Sequence, residues 1–167
     1  YGGSAYSVAA SAPSASTNVF LATYGECVTS NPALTAEAAT RNLTIGSGRS
    51  LDIDEYTLSV AGNLTNSGTF TAGTGTVVFN GSTHQTISGS SLTLNNVTFN
   101  NDKNFTFSGL TPTVTGLATF TAGIVNGDMN FGTSATTADA SRASYVEGKV
   151  TKAAGASAFT FPTGNAG

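Results

Sequence analysis

The sequence predicts an all-β chain, a β-solenoid in which short strands stack coil upon coil. Three observations lead there. Between residues 42 and 123, phrases rich in Thr, Val, Leu and Phe recur at close intervals, separated by turns of Gly, Asn and Ser. Within them apolar residues alternate with period two, as in Leu43 and Ile45, Leu51 and Ile53, Leu58 and Val60, Leu92 and Leu94, Val97 and Phe99, Phe105 and Phe107. That spacing puts each pair on one side of a strand. Finally, the segment from Val60 to Gly73 ends in Gly-Thr-Phe-Thr-Ala-Gly and the segment from Val114 to Gly123 in Ala-Thr-Phe-Thr-Ala-Gly. Such an echo marks units that bury inward residues only against their neighbours. An antiparallel β-sandwich shares the alternation and is the alternative. The solenoid is preferred because the inward residues mix Leu, Ile, Val and Phe, the turns are very short, and no Trp or Cys pair marks an immunoglobulin core.

Taken in order, residues 1–18 are small and polar and read as an irregular arm, a frayed end or an edge strand able to add to a neighbouring molecule. Strands are expected over 19–23 and 27–30, closed by the turn pair Asn31-Pro32. Residues 33–40 have helix-like composition, but eight residues make a marginal helix, so loop and strand are expected there. From Asn42 the alternation is regular as far as Phe107, with Gly46-Ser-Gly48, Asn66-Ser-Gly68, Gly73-Thr-Gly75 and Asn100-Asn-Asp102 at positions that suit tight turns, and residues 19–132 are expected to form the solenoid-like domain. The small residues of 133–143 look like a linker. Residues 144–167 then hold Ser144-Tyr-Val-Glu-Gly-Lys-Val-Thr-Lys152 and Phe159-Thr-Phe-Pro-Thr-Gly164, strands of a following or continuing module.

Composition narrows the function. Of 167 residues, 6 are Lys or Arg and 9 are Asp or Glu, for a net charge of -3, far below the usual charged quarter of a soluble chain. Without a basic cluster, nucleic acid is not an expected partner. No run of about 18 apolar residues is present to cross a bilayer as a helix. Between Tyr56 and Asn101 there is no Asp, Glu, Lys or Arg at all, so Thr, Ser and Asn must solvate those strands. The chain opens at Tyr1 without Met or a leader, which suggests a processed precursor or a fragment. The single Cys27 has no internal disulfide partner and reads as a buried small hydrophobe.

The phrases Leu43-Thr-Ile-Gly-Ser-Gly-Arg-Ser-Leu-Asp-Ile53, Leu58-Ser-Val-Ala-Gly-Asn-Leu-Thr-Asn-Ser-Gly-Thr-Phe70, Gly75-Thr-Val-Val-Phe-Asn-Gly-Ser82 and Gln85-Thr-Ile-Ser-Gly89, with the two C-terminal phrases above, resemble the repeat region of large secreted cell-surface proteins of the Bacteroidetes. The resemblance spans roughly residues 40–167 and lies in the order of the phrases, each of low complexity. It implies export, commonly by type IX secretion, and a role as adhesin, fibre or matrix component. It carries over no catalytic residue, and the sorting domain common in that family is not seen.

Candidate chemistry is sparse. His84, the only histidine, sits in a Gly-Ser-Thr-His-Gln-Thr turn and reads as a solvated turn residue rather than a ligand. Asp52, Asp54 and Glu55 form the one acidic cluster and are the only calcium candidates; alternation would set Asp52 and Asp54 on one outward side. With Arg49 they are also the sole support for a polysaccharide-cleaving enzyme, while a solvated turn explains them more simply. Tyr6, Tyr24, Tyr56 and Tyr145 are the candidates for docking sugar rings. Thr-x-Thr occurs at Thr69, Thr74, Thr111 and Thr119 but not in every strand, too irregular for an ice-binding array.

The expectation is therefore a non-catalytic extracellular structural module without cofactor, rigid and filament-forming, that joins copies of itself or neighbouring modules through strand edges or solenoid ends. A carbohydrate-binding surface adhesin is the alternative.

Overall fold

The computed structural model describes residues 13–21, 32–155 and 158–164. Among these residues there is no helix, and every ladder between strands is parallel. Six coils stack, each laying one strand on each of three faces. The first coil runs Ala38–Thr40, Leu43–Ile45, Ser50–Asp52, and the second Thr57–Val60, Leu64–Asn66, Thr69–Thr71. The third and fourth are Thr76–Phe79, Gln85–Gly89, Thr93–Leu94 and Asn96–Asn100, Phe105–Ser108, Thr113–Val114. The fifth and sixth are Leu117–Ala122, Val125–Asn126, Met129–Phe131 and Thr136–Ala138, Val146–Glu147, Val150–Lys152. The first strands of the coils make a six-stranded sheet, and the second strands, with Val19–Leu21 ahead of them, a seven-stranded one. The third face is split, with two strands from coils one and two and four strands from coils three to six.

Parallel strands are normally buried on both sides. Here each sheet covers its inner side with the other two and leaves its outer side to hydroxyl and amide groups. Register makes the inner side continuous. On the first face Val60, Phe79, Phe99 and Phe120 follow one another, and on the second Leu43, Leu64, Ile87 and Phe107. The rings of Phe79, Phe99 and Phe120 lie nearly parallel, 5.8 and 5.4 Å apart, and Phe105 meets Phe99 edge-on at 5.2 Å. All four are fully buried, and each such side chain contributes about 1.5–3 kcal/mol of transfer free energy. On the third face the inward column Leu94, Val114, Phe131 ends on Lys152. Its ammonium donates to the carbonyls of Gly132 and Thr133, 5.4 Å from the centre of the Phe159 ring.

Corners need tight approaches. A Cβ on Gly123, where φ is 91°, would collide with the Asn101 carbonyl of the coil before, so only glycine fits at that turn.

Several boundaries differ from those expected. Residues 133–143 are not a break, because Ala135 is fully buried and Thr136–Ala138 pairs in register with Leu117, Ala118 and Thr119. Small residues suit that narrow strand. Residues 144–152 complete the sixth coil rather than opening a separate module, and Thr163 bridges on to Val146. Of the N-terminal arm, residues 1–12 lie outside the described residues, and 17–21 run along coil one, adding a strand to the chain's own second face. The strand expected at 27–30, with Cys27, also lies outside the described residues. The echoed Thr-Phe-Thr phrases occupy different faces: Phe70 is on the third and Phe120 on the first. A strand with one inward ring between two outward threonines fits either side.

Candidate functional site

The corner between the first and second faces is where polar side chains gather. At three of the coils a short turn there brings an asparagine carboxamide against the next coil. Asn42 Oδ1 accepts the N–H of Asn63, Asn63 Oδ1 that of Thr86, and Asn104 Oδ1 that of Ile124, at 2.7, 2.9 and 2.9 Å. At other corners Glu37 serves Thr57, Asn96 serves Leu117 and Asp128 serves Lys149 in the same way. Each bond joins groups about one coil apart, because a turn leaves one N–H without a ladder partner and a short acceptor reaches it.

Below that corner lies a small buried polar network. Gln85 Oε1 accepts the Gly81 N–H and an N–H of Asn101, while its Nε2 donates to the Val60 and Gly62 carbonyls. Asn101 Nδ2 also donates to the Thr83 carbonyl, and its Oδ1 accepts the Lys103 N–H. Gln85 and Asn101 are both buried and both satisfied, which is what permits two amides in an apolar stack.

Outside the network, Arg41, Asn42, Asn63, Ser82, Thr83 and His84 line a groove of about 330 Å³ that crosses the first three coils, with Ala61 and Gly62 leaving room for it. None of these lining residues is acidic. The only ion pair among the described residues, Lys103 with Asp102 at 2.9 Å, lies on the next coil and neutralises that lysine. His84 is exposed. Its Nδ1 is 3.1 Å from the Lys103 carbonyl and its Nε2 3.1 Å from Thr106 Oγ1. A carbonyl only accepts, so Nδ1 carries the proton, and the ring bridges coils three and four. The turn histidine therefore has a structural task that its sequence context did not suggest.

The acidic candidates are not drawn together as a ligand set. Asp52 ends the first coil's third strand, and its Oδ1 accepts the N–H of Asp54, which stands at a positive φ of 48°. That is a turn closed by its own side chain. Asp54 and Glu55 are exposed, and among the described residues no three His, Cys, Asp or Glu side chains are grouped to hold a metal. Asp52 and Asp54 do not share a strand's outward side, because the strand stops at Asp52. Arg49 lies at the preceding corner, half-buried, with its carbonyl accepting the Thr69 N–H.

Of the tyrosines, Tyr6 and Tyr24 lie outside the described residues. Tyr56 is half-buried at the corner into coil two. Tyr145 lines a hollow of about 620 Å³ with Arg142, Ser141, Thr160 and Phe161, and Phe161 is 52% exposed. Neither the groove nor this hollow is legible from any one phrase, because each is assembled from residues a coil apart.

Compared with protein-family models, with curated proteins and with solved structures, the chain matches none of them.

Proposed function

We propose that this chain is a non-catalytic structural module, a rigid rod segment of a bacterial cell surface or extracellular filament that joins copies of itself or neighbouring modules end to end. The single observation behind this reading is the stack of parallel coils on a continuous apolar interior, which resists bending because each coil is bonded to the next on at least two of the three faces. On the third face Val150–Lys152 is the last strand of its sheet, and an edge strand offers N–H and C=O groups to a further strand. The surface location rests on the resemblance of the strand phrases to secreted repeat regions and on the low charge. Electron micrographs of the purified chain at high concentration test the proposal: end-to-end rods are expected, and a strictly monomeric particle at every concentration would remove the assembly role.

A second reading, carbohydrate binding, is favoured by the hollow at Tyr145, where aromatic rings, a guanidinium and hydroxyls meet. Its test is binding of neutral oligosaccharides, lost in Tyr145→Ala.

A further inference from the structure

We infer that the groove at the corner of coils one to three binds a short acidic oligosaccharide through one carboxylate-bearing ring. This rests on the carbohydrate-binding reading, at a site separate from Tyr145, and not on the rod reading.

Four features of the groove select that ligand class. Arg41 is exposed and has no carboxylate within ion-pair distance among the described residues, so its guanidinium is available for a bidentate contact with a carboxylate. The lining holds no acid to repel an anion, although the whole chain is net negative. Around the guanidinium stand the groups that sugar hydroxyls pair with. The Asn63 amide has its oxygen committed to the Thr86 N–H, which leaves its Nδ2 to donate, and Ser82 and Thr83 share the groove lining with it. Finally, the groove crosses three coils, and with neighbouring strands about 4.8 Å apart that is roughly 10 Å of length, room for about two sugar rings and more than a lone anion fills. A free phosphate would call for several cations or a nest of backbone N–H groups. Here one permanent cation, Arg41, is set among hydrogen-bonding groups, the balance of an oligosaccharide with one charge per ring.

Calorimetric titration of the intact chain with a galacturonate trisaccharide, its neutral galactose counterpart and inorganic phosphate tests this. The acidic trisaccharide is expected to bind at least about tenfold more tightly than the neutral one, since a hydrogen bond to a charged group is at stake. Binding should weaken as salt rises. Arg41→Gln should lose about tenfold or more, and Asn63→Asp should lose at least as much, because it keeps the acceptor for Thr86 while placing a carboxylate in the groove. Tyr145→Ala should leave acidic binding unchanged. Equal affinity for the charged and neutral sugars, phosphate binding as tight as the sugar, or acidic binding that survives Arg41→Gln would each overturn the inference. If sugars bind and only Tyr145→Ala abolishes it, the second reading stands and the groove assignment falls; if no sugar binds, both fall. Should Asn63→Asp fail to fold, Arg41→Gln decides alone, on a side chain that supports no contact in the core.

Discussion

The interior beneath the first face and the corner beside it join successive coils by different physics. Inside, Phe79, Phe99 and Phe120 repeat one ring per coil, and their association scales with apolar area and close packing. At the corner, Asn42, Asn63 and Asn104 each supply one hydrogen bond to one N–H in water's reach. The first arrangement sets how firmly coils adhere, and the second sets their register. A slip of one residue would turn the rings outward, but it would also strip every corner amide of its partner.

That contrast orders the effects of substitution. Phe99→Ala should be the most damaging, costing about 3–5 kcal/mol, because Phe79, Phe105 and Phe120 all surround the void and the neighbouring coils hold it open. Chemical denaturation would read this as a lower midpoint, and a loss under about 1 kcal/mol would show that the coils collapse around the gap. Gln85→Ala ranks next at roughly 2–3 kcal/mol, since it takes the acceptor from the Gly81 N–H and from one N–H of Asn101 and the donor from the Gly62 carbonyl. Asn63→Ala removes a single acceptor at an exposed corner, so about 1 kcal/mol is expected in the same assay. A cost equal to that of Gln85→Ala would mean that corner and interior are energetically alike. Lys103→Ala, which breaks an ion pair whose side chains are 56% and 72% exposed, should shift the midpoint by no more than about 0.5 kcal/mol.

The strand content and the stacked architecture were legible because inward residues alternate so regularly in 42–60 and 92–107. The coil length was not. Leu64 pairs with Ile87, twenty-three residues on, while Thr113 pairs with Asn130, seventeen on, so corner turns absorb or shed residues and blur any fixed period. The recurrences that do align are Phe79, Phe99, Phe120 and Asn42, Asn63, each about one coil apart, and they were hidden behind the more conspicuous Thr-Phe-Thr phrase. Thr136–Ala138 was read as linker because Thr and Ala are equally at home in loops; only pairing with Leu117–Ala122 distinguishes the two. The groove at Arg41 was invisible for a different reason. No property of Arg41 itself marks it, and its neighbours in space come from turns some twenty and forty residues away.

Between Tyr56 and Asn101 the sequence carries no Asp, Glu, Lys or Arg. The second and third coils thus carry no formal charge from those side chains. The contacts that join them should therefore be insensitive to ionic screening, whereas the exposed Lys103–Asp102 pair weakens as salt rises. Stacked this way, the two coils cohere without leaning on fixed charges of their own.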